Sequence, residues 1–220
     1  MSDGRKNYQK LLDDTLQKLK KEGQRPQLLL HACCAPCSSY VLEYLTEYFD
    51  ITLFFYNPNI SPEEEYRFRY EELCRLVGEM KLPEGVSVVC GSYDTGRFEE
   101  ISRGLEDLPE GGSRCMACYR LRLRETARVA AEGGYDFFCT TLSISPYKNA
   151  AWLNTIGEEE GAAAGVPWLS SDFKKRGGYK RSCELSETYG LYRQNYCGCI
   201  WSKRQREAHD RLCTGDNPAK

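Results

Sequence analysis

The segment QLLLHACCAPCSS, residues 27–39, decides the fold because it joins an apolar run to a cysteine-rich loop. Pro26 ends the preceding helical pattern, and residues 27–31 form a short apolar run that predicts a buried strand. Cys33, Cys34 and Cys37 follow at once, and a helical pattern covers residues 40–48. A buried strand that leads through a loop into a helix predicts a layered α/β fold.

The same alternation continues along the chain. Further strands are predicted at residues 50–56, 86–90 and 135–141, with a short fifth strand at 166–169, and helices at residues 5–22, 62–80, 96–107, 115–132 and 149–164. This order predicts a parallel sheet with helices on both faces, which binds ligands at the carboxyl ends of its strands. We expect one domain over residues 1–220. It consists of an α/β core with an N-terminal helix (1–171) and a basic, aromatic C-terminal segment that carries a CxC motif (172–220).

Composition makes cysteine the unusual residue. The chain has 220 residues, 12 of them cysteine, and a net charge of -2, which excludes a uniformly basic nucleic-acid binder. It contains neither an apolar run long enough to cross a bilayer nor an apolar leader at the N-terminus, so we expect a cytoplasmic protein without a membrane partner. In a reducing compartment, grouped cysteines indicate metal binding or redox chemistry.

The last fifty residues differ from the rest in charge. They hold eleven Lys and Arg against six Asp and Glu, a net of +5, which leaves -7 on the remainder. The basic residues of one short stretch are Lys174, Lys175, Arg176, Lys180 and Arg181, and tyrosines and Trp201 follow them. Cations bind phosphates and rings stack on bases, so this segment is predicted to contact nucleic acid. An extension that packs its aromatic side chains on the core explains the composition equally well.

The cysteines form three groups, of which two suit a shared metal site. Cys33 and Cys34 lie in the loop after the first strand, whereas Cys115 and Cys118 are spaced to share one face of a helix's first turn, where thiolates are favoured. Four thiolates suit a [4Fe–4S] cluster or a structural zinc. A thioredoxin-type pair at positions 34 and 37 would leave the other groups unexplained. A CxxxCxxC radical site is excluded because position 40 is tyrosine.

The third group is Cys197-Gly198-Cys199. One intervening glycine lets the chain turn sharply enough for the two sulfurs to form a disulfide, so the pair is a candidate two-electron carrier. Both residues acting as further metal ligands, or as idle thiols, are the alternatives. His31, at the end of the first strand, is interpreted as a hydrogen-bonded structural residue rather than a proton donor.

Several long motifs resemble the cobalamin-independent epoxyqueuosine reductase family, QueH. They are LLLHACCAPCSSY (28–40), FFYNPNISPEEEYRFR (54–69), YDTGRF (93–98), GLEDLPEGGSRCMACYRLRL (104–123), TTLSISPYKN (140–149) and DFKKRGGYKRSCELSETYGLYRQNYCGCIWS (172–202). The resemblance implies a Rossmann-like fold similar to nucleotide α-hydrolases and PP-loop ATPases. It also implies an enzyme that removes the epoxide oxygen of epoxyqueuosine at the tRNA wobble position, without cobalamin. HACCAPC replaces the phosphate-binding loop SGGxDS of the ATPases, so no ATP use is expected.

The resemblance also implies roles for individual residues. Cys33, Cys34, Cys115 and Cys118 would hold a [4Fe–4S] cluster, and Cys197 and Cys199 would form a redox-active pair. The family implies an adjacent mononuclear iron as well, for which Cys37 and Asp94 are candidate ligands. The five basic residues at 174–181, together with Arg120, Arg122 and Arg124, would hold the anticodon arm, and an unidentified electron donor would restore the enzyme.

Two other functions use the same residues. A zinc-stabilised, non-catalytic RNA-binding protein needs the same cysteines and the same basic segment but no labile dithiol. A cluster-dependent tRNA sulfurtransferase shares the predicted fold group, although the missing SGGxDS motif argues against it. Metal analysis separates the first alternative from a reductase, and the ATP requirement of the reaction separates the second.

Overall fold

A computed structural model describes residues 6–214 of the protein, with side chains through residue 212. Within this range four strands form one parallel sheet: β1 (Gln27–His31), β2 (Asp50–Phe55), β3 (Val86–Cys90) and β4 (Phe137–Thr140). The strands lie in the order β3-β2-β1-β4, so β1 and β2 occupy the centre. This arrangement confirms the predicted Rossmann-like α/β class.

Helices cover both faces of this sheet. They are α1 (Tyr8–Glu22), α2 (Ala35–Leu45), α3 (Glu63–Glu79), α4 (Thr95–Ser102), α5 (Ser113–Glu132), α6 (Ala150–Ala164), α7 (Gly178–Thr188) and α8 (Ile200–Thr214), with a 3-10 turn at Thr141–Ile144. Alternate side chains of β1 point to opposite faces. Leu28 and Leu30 pack in a core with Leu42 of α2, whereas Leu29 packs with Ala127 of α5.

Three predicted elements differ from the structure. Helix α2 begins at Ala35 rather than near residue 40, because Pro36 is tolerated in a helix's first turn. Helix α4 ends at Ser102, shortly before Gly104, whose φ of 78° leaves the helical region. The expected fifth strand is a single parallel bridge between Trp168 and Phe138. Pro167, which has no N–H to donate, adjoins it.

The C-terminal segment packs on the core through α7, which lies against α2. Its boundary at residue 172 stays a prediction, as does the single-domain assignment of residues 1–220. Residues 1–5 and 215–220, which belong to those predicted ranges, lie outside the described residues, and so does the side chain of Cys213. No helix in the described part of the chain is long and apolar enough to cross a membrane.

Candidate metal and redox centre

The carboxyl ends of the central strands position the first cysteine group. His31 ends β1 beside Thr140, the last residue of β4. The His31 ring is fully buried, with Nδ1 2.8 Å from Thr140 Oγ1 and Nε2 3.1 Å from the Tyr56 carbonyl oxygen. A carbonyl only accepts, so Nε2 carries the proton. Burial, reinforced by Arg122, lowers the pKa of His31 to about 4. His31 is therefore a neutral, hydrogen-bonded strand-end residue, as predicted.

Cys33, Cys34 and Cys37, the cysteine triad, converge directly after β1. Their sulfur atoms lie within 4.8 Å of one another, and this is the one group of three potential metal ligands among the described residues that meets this spacing. Cys33 Sγ lies 3.8 Å from Cys34 Sγ. Cys34 is the N-cap residue of α2, and Cys37 lies in that helix's first turn, so the triad lies at the positive end of the helix dipole. The triad is able to bind a metal ion.

The three cysteines of the triad differ in how readily they lose their protons. Hydrogen bonds from Cys34 and Cys37 hold the pKa of Cys33 well below its usual range. The same contacts with Cys33 raise the pKa values of Cys34 and Cys37. One thiolate stabilised by two thiols is thus the favoured state of the metal-free triad, and thiolates are the form in which cysteine binds metals.

Cys115 and Cys118 lie on the first two turns of α5. Each is 7% exposed, and the backbone N–H of Gly111 donates to Cys115 Sγ at 3.3 Å. Burial raises the pKa of Cys118 to about 12. Cys33 packs against the apolar cluster that contains Cys115, and Cys118 packs with Cys199. The structure therefore brings these two cysteines near the other groups but not into the compact triad.

Arg122 is a buried cation among the three cysteine groups. Its side chain is 2% exposed, Nε donates to the Cys118 carbonyl oxygen at 3.4 Å, and Nη2 has no hydrogen-bond partner. Burial lowers the pKa of Arg122, but its electrostatic interactions with nearby cysteine sulfurs, Cys118 first, outweigh burial and the pKa is raised. Because a buried charge requires a counter-ion, Arg122 favours an anionic sulfur site.

Helix α3, the loop before it and the first turn of α8 hold the CGC loop, residues 197–199. Arg69 Nη1 donates to the Cys197 carbonyl oxygen at 3.2 Å, and the Ser61 N–H donates to the Gly198 carbonyl oxygen at 3.0 Å. The Cys197 N–H donates to Ser202 Oγ at 2.9 Å. Both cysteines are free thiols, and burial raises the pKa of Cys199 to about 11. This loop therefore depends on distant residues for its position.

The cysteine triad and Cys197 line one cavity of about 650 Å³. Arg122 and Lys148 belong to the same lining, and Tyr147, 79% exposed, lies on its open side. A volume within about 300–1,000 Å³ is typical of small-molecule and cofactor sites. The cavity thus joins two thiol groups and several cationic side chains around one ligand-sized space.

The five basic residues of the predicted stretch lie outside this cavity lining, and four of them form ion pairs with acidic side chains. The ion pairs are Lys174 with Asp172 at 2.6 Å, Arg176 with Asp13, Arg181 with Glu43 at 2.7 Å, and Lys180 with Glu184 at 4.0 Å. Lys175 lies in the turn before α7. These phosphate contacts stay a prediction.

Other predicted residues have structural partners. Arg120 and Arg124 form ion pairs with Glu160, at 2.8 and 2.9 Å, and Arg122 is buried, so it cannot contact phosphates at the surface. Asp94 is the N-cap residue of α4 and accepts a hydrogen bond from the Gly96 N–H at 3.1 Å. Asp94 is absent from the described cavity lining, and its role as an iron ligand stays a prediction.

Sequence reasoning overlooked three polar residues at the site: Glu110, Lys148 and Ser202. Lys148 Nζ lies 2.9 Å from Glu110 Oε1, and Ser202 Oγ donates to Glu110 Oε2 at 3.0 Å. Glu110 and Lys148 lie in the motifs 104–123 and 140–149, and the second of these follows β4. Polar residues that follow the carboxyl end of a strand often line a binding site, and this pattern could have identified Lys148 from the sequence.

Comparison with known proteins agrees with this geometry. A family model described as "Epoxyqueuosine reductase QueH" matches residues 28–205. A protein of that name from Staphylococcus epidermidis is 42% identical over 200 residues, which cover 89% of this chain and 84% of the relative. Another from Streptococcus pyogenes is 42% identical, covering 91% and 79%, and one from Thermotoga maritima is 38% identical, covering 83% and 93%. The chain belongs to the QueH family of epoxyqueuosine reductases, oxidoreductases that reduce epoxyqueuosine to queuosine.

Proposed function

We propose that this protein removes the epoxide oxygen of epoxyqueuosine at the wobble position of a tRNA, in the cytoplasm. The observation that carries the proposal is the single cavity lined by the cysteine triad, Cys197, Arg122 and Lys148. Epoxide removal needs two electrons and two protons and leaves a double bond and water. The cavity places electron-rich sulfur and cationic side chains around one ligand-sized space.

The donor set fits an iron–sulfur group. The sulfurs of the cysteine triad lie within 4.8 Å of one another, and Arg122 Nη2 is a buried donor without a hydrogen-bond partner. We assign Cys33, Cys34, Cys115 and Cys118 as the residues that would hold a [4Fe–4S] cluster, and Cys37 as a candidate ligand of an adjacent iron. Such a group supplies single electrons and a Lewis acid for the epoxide oxygen.

The protein's own residues have three tasks in this proposal. Arg122 balances negative charge on the sulfurs, because it is buried and its pKa is raised by three cysteines. Cys197 and Cys199 carry electrons as a dithiol, which an external reductant restores. The cavity walls hold the modified base, which must leave its stack to enter.

The open side of the cavity supports tRNA binding. Tyr147 is exposed there, and Arg193 lies over the ring of Tyr179 at 5.9 Å from its centre. Tyr179 and Arg193 both line the cavity. Rings stack on bases and arginines bind phosphates, so this side suits the nucleotides that flank a flipped-out base.

An anaerobic assay tests the function. We expect the reconstituted protein, with a chemical reductant, to convert epoxyqueuosine in tRNA to a nucleoside that has lost one oxygen, measured by mass spectrometry. The reaction is expected without ATP. One zinc and no acid-labile sulfide would instead support an RNA-binding protein, and product formation that depends on ATP would support a sulfurtransferase. An intact, reducible cluster with no change in the nucleoside would contradict the proposal.

A further inference from the structure

A chain of hydrogen bonds connects the CGC loop to the cavity through residues with no role so far. Lys148 Nζ contacts Glu110 Oε1 at 2.9 Å, and Glu110 Oε2 accepts from Ser202 Oγ at 3.0 Å. Ser202 Oγ in turn accepts from the Cys197 N–H at 2.9 Å, and the Ser202 N–H donates to Cys199 Sγ at 3.3 Å. Lys148 is thus joined to the CGC loop through the side chains of Glu110 and Ser202, and the last links are the backbone N–H groups of Cys197 and Ser202.

Lys148 is an unusual lysine. It is 8% exposed, although lysine is almost never fully buried without a partner, and it lines the cavity that also holds the cysteine triad. The charged or titratable groups around it are Glu110, Tyr119 and Cys197. Burial lowers the pKa of Lys148, but these three groups outweigh burial and raise it above its ordinary value. Lys148 therefore holds a positive charge and a proton inside the cavity.

We propose that Lys148 is a catalytic residue that donates a proton to the epoxide oxygen, and that Glu110 and Ser202 are positioning residues that hold Lys148 beside the CGC loop. This inference rests on the proposed function. An alkoxide formed when the epoxide ring opens is more basic than an amine, so proton transfer from an ammonium group is favourable.

The atoms and electrons of this reaction balance. Both C–O bonds of the epoxide break and a C=C bond forms, which consumes two electrons. The oxygen takes two protons and leaves as water. Oxidation of the Cys197 and Cys199 thiols to a disulfide supplies two electrons and two protons, and an external dithiol reductant reduces the disulfide again. Lys148 donates a proton to the oxygen and takes one up again from solvent, so it is unchanged at the end of the cycle.

Replacement of Lys148 by Ala tests the catalytic role. We expect kcat to fall by about 10²–10⁴-fold, the usual contribution of a general acid, while KM for the tRNA and iron content stay unchanged. The remaining rate should fall as pH rises from 6 to 9, because protons must then come from solvent, whereas the wild-type rate should not. Ethylammonium should restore activity in Lys148→Ala, and Lys148→Arg should retain part of it. Lys81→Met, on an exposed lysine far from the site, is the control.

A second variant separates the positioning role from folding defects. Ser202→Ala should slow steady-state turnover, because the link between Glu110 and the CGC loop is lost, but should leave a single turnover of pre-reduced protein closer to wild type. If Lys148→Ala retains wild-type kcat, or loses activity only together with iron or tRNA affinity, the inference is wrong. A wild-type protein that leaves epoxyqueuosine unchanged would instead overturn the proposed function itself, so the two failures are distinguishable.

Discussion

The cysteine triad and the CGC loop border the same cavity but are built in different ways. The triad converges within five residues, because a strand ends and a helix begins there and the helix's first turn brings the sulfurs together. The CGC loop is held by Arg69 and Ser61, which are more than 120 residues away in the chain, and by Ser202 in the first turn of α8. A group of sulfurs that is able to bind a metal can thus be a local feature, whereas the redox role proposed for the loop depends on tertiary contacts.

Removal of a triad sulfur should have the largest effect. Loss of a residue that hydrogen-bonds a metal ligand typically lowers metal affinity by roughly 10–100-fold. Cys33→Ser removes a candidate ligand itself, so we expect a larger loss of metal affinity, together with loss of activity. Iron and sulfide analysis after anaerobic reconstitution measures this. Cys74→Ser is the matched control, since Cys74 lies on α3 outside the cavity lining. If Cys33→Ser kept the wild-type iron content, Cys33 would not be a metal ligand and the prediction would be wrong.

Arg122→Met should have the next largest effect, because it removes the buried cation between the two regions. We expect metal affinity to fall by about 10–100-fold, as when a supporting residue around a metal site is lost. Arg122→Lys, which keeps the charge, should lose less. Competition with an iron chelator and the thermal unfolding of both variants are the measurements. Equal losses in the two variants would show that the guanidinium's shape, rather than its charge, matters.

Gly198→Ala should affect the CGC loop alone. Gly198 has a φ of 117°, and an added Cβ would lie 3.0 Å from both Arg69 Nη1 and Ile60 Cγ1, so we expect a cost of about 1–3 kcal/mol. Electron delivery should slow while iron content stays at the wild-type level. Gly104→Ala is the control, because its φ is also positive at 78° but its Cβ would meet open space. Iron loss in Gly198→Ala, with none in the control, would make the loop part of the metal site.

The smallest expected effect concerns tRNA binding outside the sulfur groups. Arg193 lines the cavity, whereas Arg181 of the basic stretch is already paired with Glu43. We expect Arg193→Ala to weaken tRNA binding and to reduce the slope of log affinity against log salt concentration by about 1. Arg181→Ala should weaken tRNA binding less, because the ion pair of Arg181 must break before this residue binds a phosphate. Binding titrations of both variants at several salt concentrations measure these effects. A larger effect at Arg181 would favour the basic stretch as the phosphate contact.

Much of the fold was predictable from the sequence because it rests on local patterns. Strands β1 and β3 match their predicted bounds, and the buried runs specify a parallel sheet. The predictions that differ from the structure concern the ends of two helices and a short strand at the edge of the sheet. The segment at Trp168 makes one bridge beside Pro167, and the ends of α2 and α4 depend on single proline and glycine residues.

The candidate site was predictable only in part. The triad's spacing and the CxC motif are visible in the sequence, but the partners of charged residues are not. Arg122 was expected to help hold the anticodon arm but is buried, and its Nη1 donates to Asn57 Oδ1 at 3.3 Å, just after β2. Lys148 and Glu110 are 38 residues apart and become partners only when two loops meet.

By itself the sequence determined the α/β class, the cysteine groups and the resemblance to the QueH family, because periodicity and motif spacing are properties of neighbouring residues. Only the tertiary structure decided which groups meet. It buries Arg122 among the thiols, holds the CGC loop with Arg69 and joins Lys148 to Ser202 through Glu110. The physical reason is that burial and charge pairing depend on distances between segments far apart in the chain, which no local pattern encodes.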